Sequence, residues 1–207
     1  MTQRELPLFP LHTVLFPGMQ LPLHIFEERY KLMIATCMVT DKTFGVALIR
    51  SGQEVGGRAE ICDIGATAQI VEIDRLPDGR MNLLATGLDR FRILERLDDQ
   101  PYPVGTVEVL PELPERVDGL EQRVAERFRR YLVALGLDED QVARLGLPDD
   151  PLKLSYLVAA SLKVPAIERQ QLLEEQFAAG RLRRELALLG WATGGPRDAN
   201  ARSFSVN

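Results

Sequence analysis

The chain reads as an α+β protein, with a β-rich half to about Pro114 followed by a helical half. Three observations lead there. Between Leu6 and Leu110, short β-branched or alternating runs are separated by proline and glycine turn signals. After Pro114 the apolar spacing becomes helical, with charged residues between. The composition, 45% hydrophobic and 27% charged over 207 residues, suits a globular chain that buries its own core.

Leu6–Leu11 is too broken by proline for the middle of a sheet and is expected as an edge or entry strand. Phe16-Pro17-Gly18-Met19 places proline and glycine where a type II turn requires them. Gln20–Phe26 is a second extended piece. From Glu27 to about Met38 a helix is predicted, because Phe26, Tyr30, Met33, Ile34 and Cys37 recur at helical spacing. Phe44–Arg50 fits a buried strand, and the glycines of Ser51–Arg58 mark a loop. Ile61–Leu76 reads as one long strand with a bulge or bend at Gly65. Leu76-Pro77-Asp78-Gly79-Arg80 is a hairpin signal returning into Met81–Thr86. Arg90–Ile93 alternates like a half-exposed strand, and Val104–Leu110 closes the series. About six short strands of this kind suggest a small closed or partly closed barrel.

In the second half, Val117–Leu135 is an amphipathic helix with Leu120, Val124, Phe128, Tyr131 and Leu132 on one face, stopped by Gly136. Asp138–Leu145 is a short helix. Asp150-Pro151 caps a helix over Leu152–Leu162. Pro165 opens another to about Glu175, and a last one spans Phe177–Leu189, ending at Gly190. The expected organisation is thus a β-rich unit over 1–114, a helical unit over 115–190, and a disordered tail over 191–207.

Several function classes lose support. A net charge of −5 gives no field for general nucleic-acid binding. The N-terminus MTQRELPLFP lacks the apolar core of a signal peptide, and no apolar run reaches membrane-spanning length. A soluble, cytoplasmic protein is expected. Cys37 and Cys62 read as unpaired core thiols rather than a disulfide. They and the scattered His12 and His24 have no metal-ligand spacing, so neither metal nor cofactor is expected. Ser161 and Lys163 are two apart and face different ways on a helix, which argues against a Ser–Lys dyad. The clusters Arg127, Arg129, Arg130 and Arg181, Arg183, Arg184 are interleaved with acids and read as solvated helix faces.

The opening LPLFPL (Leu6–Leu11), the Phe16–Met19 turn and LPLHIFEERY (Leu21–Tyr30) come in the order found in one family. Phe44-Gly45-Val46, the Leu76–Arg80 hairpin, Gly87 with Arg90-Phe91, Tyr102-Pro103-Val104, Asp150-Pro151-Leu152 and Leu172-Leu173-Glu174 continue the series. Over about residues 6–189 the chain resembles the Lon protease N-terminal (substrate-binding) domain. The resemblance implies a PUA-like β pseudo-barrel with one helix, joined to a C-terminal α-helical bundle. In full Lon proteases this region recognises unfolded or degron-bearing protein substrates and helps to assemble the hexamer. The chain contains no GxxxxGK[ST] phosphate loop and no Ser–Lys protease domain. It therefore resembles a stand-alone Lon-domain protein.

These readings suggest a non-enzymatic protein-interaction module for unfolded or flexible polypeptide, with a separate protease or chaperone as a further partner. An RNA-binding module using the PUA-like barrel is the alternative. Candidate contact residues are Phe16 and Met19, which flank an exposed turn or fold under the barrel as core. His24, Phe26, Arg29 and Tyr30 join them; these lie at a strand-to-helix junction that has packing needs of its own. Affinity would come from apolar residues in a groove between barrel and bundle.

Overall fold

The computed structural model describes residues 3–56, 59–97, 100–113 and 115–194, with side chains described through residue 190. Its first strand explains how the sheet closes. β1 (Gln3–Leu11) runs antiparallel to β7 (Val104–Val109) over Gln3–Pro7, then parallel to β3 (Thr43–Ser51) over Leu8–Leu11. Each half of β1 makes a ladder with one partner, so Pro7 and Pro10 can be accommodated without an N–H. Of the two expectations, an edge strand is corrected, since β1 enters the sheet by joining its two ends. With β5 (Ile64–Arg75) and β6 (Met81–Leu97), the order β1-β7-β6-β5-β3 returns to β1 as a closed barrel. β2 (Gln20–Ile25) adds to β6, and β4 (Glu60–Ile61) to β3.

Two strand boundaries differ from expectation. Ile61–Leu76 is split into β4 and β5, while Met81–Thr86 and Arg90–Ile93 belong to the single strand β6. β6 stays continuous because one of its sides changes partner along its length. That side pairs with β2 up to Thr86 and with β7 from Phe91 onward. The Phe16–Met19 turn fills the gap: Gly18 N donates to the Gly87 carbonyl (2.8 Å), and Gly87 N donates to the Met19 carbonyl (2.9 Å). The turn itself is as expected, with Met19 N on the Phe16 carbonyl (3.0 Å) and Gly18 at φ +80°. Gly65 is not a bulge. It pairs in register with Phe91, and its missing Cβ leaves room for the Val46 carbonyl and the Phe91 ring; the register slips fall beyond it, at Ala66/Ala68 and Ile70/Glu72.

α1 (Glu28–Met38) buries Tyr30, Met33, Ile34 and Cys37 against the barrel, on the predicted face. Phe26 precedes the helix and is 47% exposed instead. The helical half comprises α2 (Leu120–Ala134), α3 (Glu139–Ala143), α4 (Pro151–Ser161), α5 (Ala166–Glu174) and α6 (Ala178–Gly194). α2 buries the five predicted residues. It starts at Leu120 rather than Val117 because Asp118 and Gly119 have positive φ. The Asp138 carboxylate caps α3 through Gln141 N, and that of Asp150 caps α4 through Leu152 N and Lys153 N, each cap worth about 1 kcal/mol. α6 continues past Gly190 to Gly194, since an interior glycine lowers helix stability by only about 1 kcal/mol. Of the expected tail, 191–194 are therefore helical, and 195–207 lie outside the described residues.

Barrel and bundle share a core. Val14, Phe16, Leu48 and Cys62 from the barrel pack with Leu120, Phe128, Tyr156, Leu172 and Leu182 from the helices. Cys37 and Cys62 are buried free thiols. Among the described residues no helix is long and apolar enough to cross a membrane.

Candidate functional site

The partner change along β6 leaves Leu88 and Asp89 beside the turn and facing the bundle. Together they border a groove of about 460 Å³. Pro17, Gly18 and Met19 form its rim on the barrel side, and Pro148, Leu152, Lys153, Tyr156, Leu157 and Ala160 line the bundle side. The α4 residues among them recur three or four apart, so one helix face supplies the wall. Leu88 is 40% exposed and Leu157 38%. The remaining lining residue, Glu112, lies just beyond β7.

Beneath the groove is a network of buried charge. Arg90 on β6, 1% exposed, donates through Nε and Nη2 to the Glu112 carboxylate (2.8 and 3.3 Å). It also donates to the carbonyls of Leu173, in the last turn of α5, and of Glu175 and Gln176 in the link to α6 (2.9, 2.9 and 3.3 Å). Arg181, also buried, donates to the Leu172 and Glu175 carbonyls (2.9 and 2.6 Å) and to Ser155 Oγ (2.9 Å). Its guanidinium lies over the Tyr156 ring, 4.1 Å from the centroid. Tyr156 Oη donates to Glu112 Oε1. Burial pushes this hydroxyl well above the usual tyrosine range, against the opposing pull of Arg181 and Arg90, so it stays protonated and keeps that bond. Glu112 and Tyr156 are thus engaged internally, and the groove presents chiefly apolar surface with Asp89 and Lys153 at its edge.

The six residues singled out from sequence fall in two places. Met19 is on the groove rim, half-buried, with Sδ 3.9 Å from Arg169 Nη2. Of the two places expected for Phe16, the structure has the one under the barrel, so Phe16 is corrected as a contact residue. Its side chain points under the turn, fully buried, 6.4 Å from the Tyr156 ring and 5.7 Å from the Arg169 guanidinium. A type II turn can expose its two central residues while the first anchors it from below. His24, Phe26, Arg29 and Tyr30 lie elsewhere, around the β2–α1 junction. Tyr30 is buried against Phe9 (4.2 Å between centroids) under the Arg29 guanidinium (4.5 Å). Arg29 donates to the Glu54 carbonyl (3.1 Å), tying this junction to the loop after β3. His24 Nδ1 is 2.8 Å from Asn82 Oδ1, and with Phe26 and Tyr30 it borders a smaller cleft of about 200 Å³. These four do not meet Met19 in one cavity.

Arg181 also overturns the solvated-face reading of its cluster, because α4 and the end of α5 cover that side of α6; Arg183 and Arg184 remain exposed. Arg90 breaks the alternation expected of Arg90–Ile93, because the end of α5 and the link to α6 cover it. Ser161 Oγ donates to the Leu157 carbonyl (2.8 Å) within its own helix, while Lys163 N donates to Tyr131 Oη (2.8 Å). Sequence reasoning missed Leu88, Tyr156 and Leu157. A signal for the last two was present, since α4 is apolar on more than one face and such a helix needs a second cover.

A closed β-barrel joined to a helical bundle, with an apolar groove at the junction, defines the domain type. The chain belongs to the ATP-dependent protease La (LON) substrate-binding domain family, whose model matches residues 5–190. It is 30% identical over 184 residues to the Lon protease of Desulfovibrio desulfuricans, covering 86% of this chain and 21% of that protein. It is 31% identical over 191 residues to Lon protease 2 of Herpetosiphon aurantiacus, covering 88% and 23%. The chain thus spans roughly a fifth to a quarter of the length of these curated relatives. The crystal structure of a Lon N-terminal domain protein from Xanthomonas campestris superposes with a TM-score of 0.70 at 28% identity, covering 89% of this chain and 98% of that one. The N-terminal domain of Mycobacterium avium complex Lon protease gives 0.67 at 19% identity, covering 90% and 98%, and shows the same fold.

Proposed function

We propose that this chain is a non-catalytic recognition module that holds unfolded or flexible polypeptide in the barrel–bundle groove, working in the cytoplasm beside a separate protease or chaperone. The observation that carries this reading is the groove itself. Exposed Leu88 and Leu157 face a trough rimmed by Pro17 and Met19, on elements fixed by the Gly87 hydrogen bonds and the Arg90 network. Folded proteins present few such patches, whereas unfolded chains present apolar side chains in many arrangements. A thioether beside leucines can repack around them. The family's description as substrate-binding, and the Lon proteases among its relatives, point the same way.

Fluorescence anisotropy of the purified protein tests this, with a labelled, permanently unfolded polypeptide titrated at low and high salt beside a labelled RNA oligomer. Micromolar polypeptide binding that changes little with salt is expected, because apolar contacts release no counterions. Leu157→Glu alters an exposed position, so it should weaken binding about 5–30-fold, for a loss of about 1–2 kcal/mol, and leave the melting temperature unchanged. Salt-steep binding of RNA without polypeptide binding would overturn the reading in favour of an RNA module.

A further inference from the structure

We infer that the groove also has an internal occupant, the segment 195–207 of the same chain, seated through Arg202, Phe204 and Val206. Three observations converge on this segment. The first is reach. Arg181, near the start of α6, donates to Tyr156 Oη, and Tyr156 lines the groove (3.3 Å). From Arg181 to Gly194 the helix rises about 20 Å. Residues 195–207, fully extended, span at most roughly 45 Å, so the segment can return from Gly194 to the groove.

The second is pattern. In an extended chain alternate side chains share a face, which puts Arg202, Phe204 and Val206 together, with Ser203 and Ser205 opposite. That face offers one cation followed by two apolar groups. The groove offers one exposed anion, Asp89, adjoining Leu88, with the apolar trough of Met19, Leu152, Leu157 and Ala160 beside it. Lys153 is the exposed cation at its edge, so Arg202 is placed at the Asp89 end. The third is the occupant's chemistry. Phe204 is the one aromatic residue of the segment and supplies the anchor that an aliphatic groove accepts.

A tethered segment is present at an effective concentration of about millimolar. An intrinsic affinity of only about 1 mM would keep the groove roughly half occupied and weaken an external polypeptide about twofold. That competition rests on the reading proposed above, whereas the docking itself does not.

The test compares the full chain with a chain ending at Gly194 by methyl NMR. The sequence has five methionines, and Met19 is assigned by Met19→Leu. Removing 195–207 should shift the Met19 methyl resonance while leaving those of the barrel-core methionines Met33 and Met81 in place. Phe204→Ala in the full chain should reproduce most of that shift, at every protein concentration. A Met19 resonance indifferent to both changes would overturn the inference. A shift that vanishes on dilution would also overturn it, because the occupant would then belong to a second copy. Where external polypeptide binds, truncation should tighten it twofold or more. A Met19 shift without external binding would refute the recognition reading and leave the self-docking standing.

Discussion

Glu185 lies buried on α6, and neither of its carboxylate oxygens has a hydrogen-bond partner among the described residues. Burial raises its pKa well above the usual carboxyl range. Arg181, one turn earlier, pulls the other way but is outweighed. In the unfolded chain the group titrates near pH 4.3. Between that value and the higher folded one, the folded protein keeps a proton that the unfolded chain has released. Stability therefore falls as pH rises through this window, by about 1.4 kcal/mol per unit, and the loss persists above it. Glu185→Gln keeps the shape and removes the titration. Urea unfolding from pH 4 to 8 should give a flatter profile for the variant and greater stability than the parent at pH 7; parallel profiles would dismiss Glu185 as the source. Nothing local in RLRRELALLG marks Arg181 and Glu185 as inward-facing, since their spacing is that of an ordinary surface ion pair. The cover that buries them comes from other segments. For the same reason Phe16 was legible as part of a turn, while the choice between an exposed tip and a buried anchor was not.

At the scale of elements, the Phe16–Met19 turn and β6 depend on Gly87. A Cβ there would run into the Phe16 carbonyl, a backbone atom that the turn's hydrogen bonds hold in place. Gly87→Ala should therefore push the turn away and strain both bonds, lowering stability by about 1–3 kcal/mol in chemical denaturation. It should also displace Pro17 and Met19, so that polypeptide affinity falls even after the melting temperature is restored by a stabilising change elsewhere. Loss of stability with unchanged affinity would mean that the turn does not shape the groove. Elements whose signal is contained within them were readable: the faces of α1 and α2, the Leu76–Arg80 hairpin and the Asp150 cap all rest on spacing or on neighbouring residues. The strand pairings were not. β1 and β6 each change partner along their length, and that exchange depends on chain segments far away in sequence.

Taken whole, the molecule has a groove only while barrel and bundle are docked, because each contributes one wall. The docking depends on shared apolar core and on Arg90, whose hydrogen bonds reach Glu112 and the carbonyls at the end of α5 and in its link to α6. Arg90→Ala would leave those carbonyls and much of the Glu112 carboxylate without their partner, and breaking such a buried pair typically destabilises by about 3–5 kcal/mol. Since Val14, Phe16, Leu48 and Cys62 belong to the same apolar cluster as the helices, the loss should spread through the whole chain. Amide exchange should then weaken equally in β3 and α6, reporting one cooperative transition. If α6 alone loses protection, the halves unfold separately and the barrel needs no bundle. A polypeptide that binds the docked form at 100 times its Kd adds about 2.7 kcal/mol. It should therefore restore much of the melting temperature that Arg90→Ala removes. Leu157→Glu introduced into the same chain, with its roughly 5–30-fold weaker binding, should cut the rescue to about 0.9–1.8 kcal/mol at the same ligand concentration.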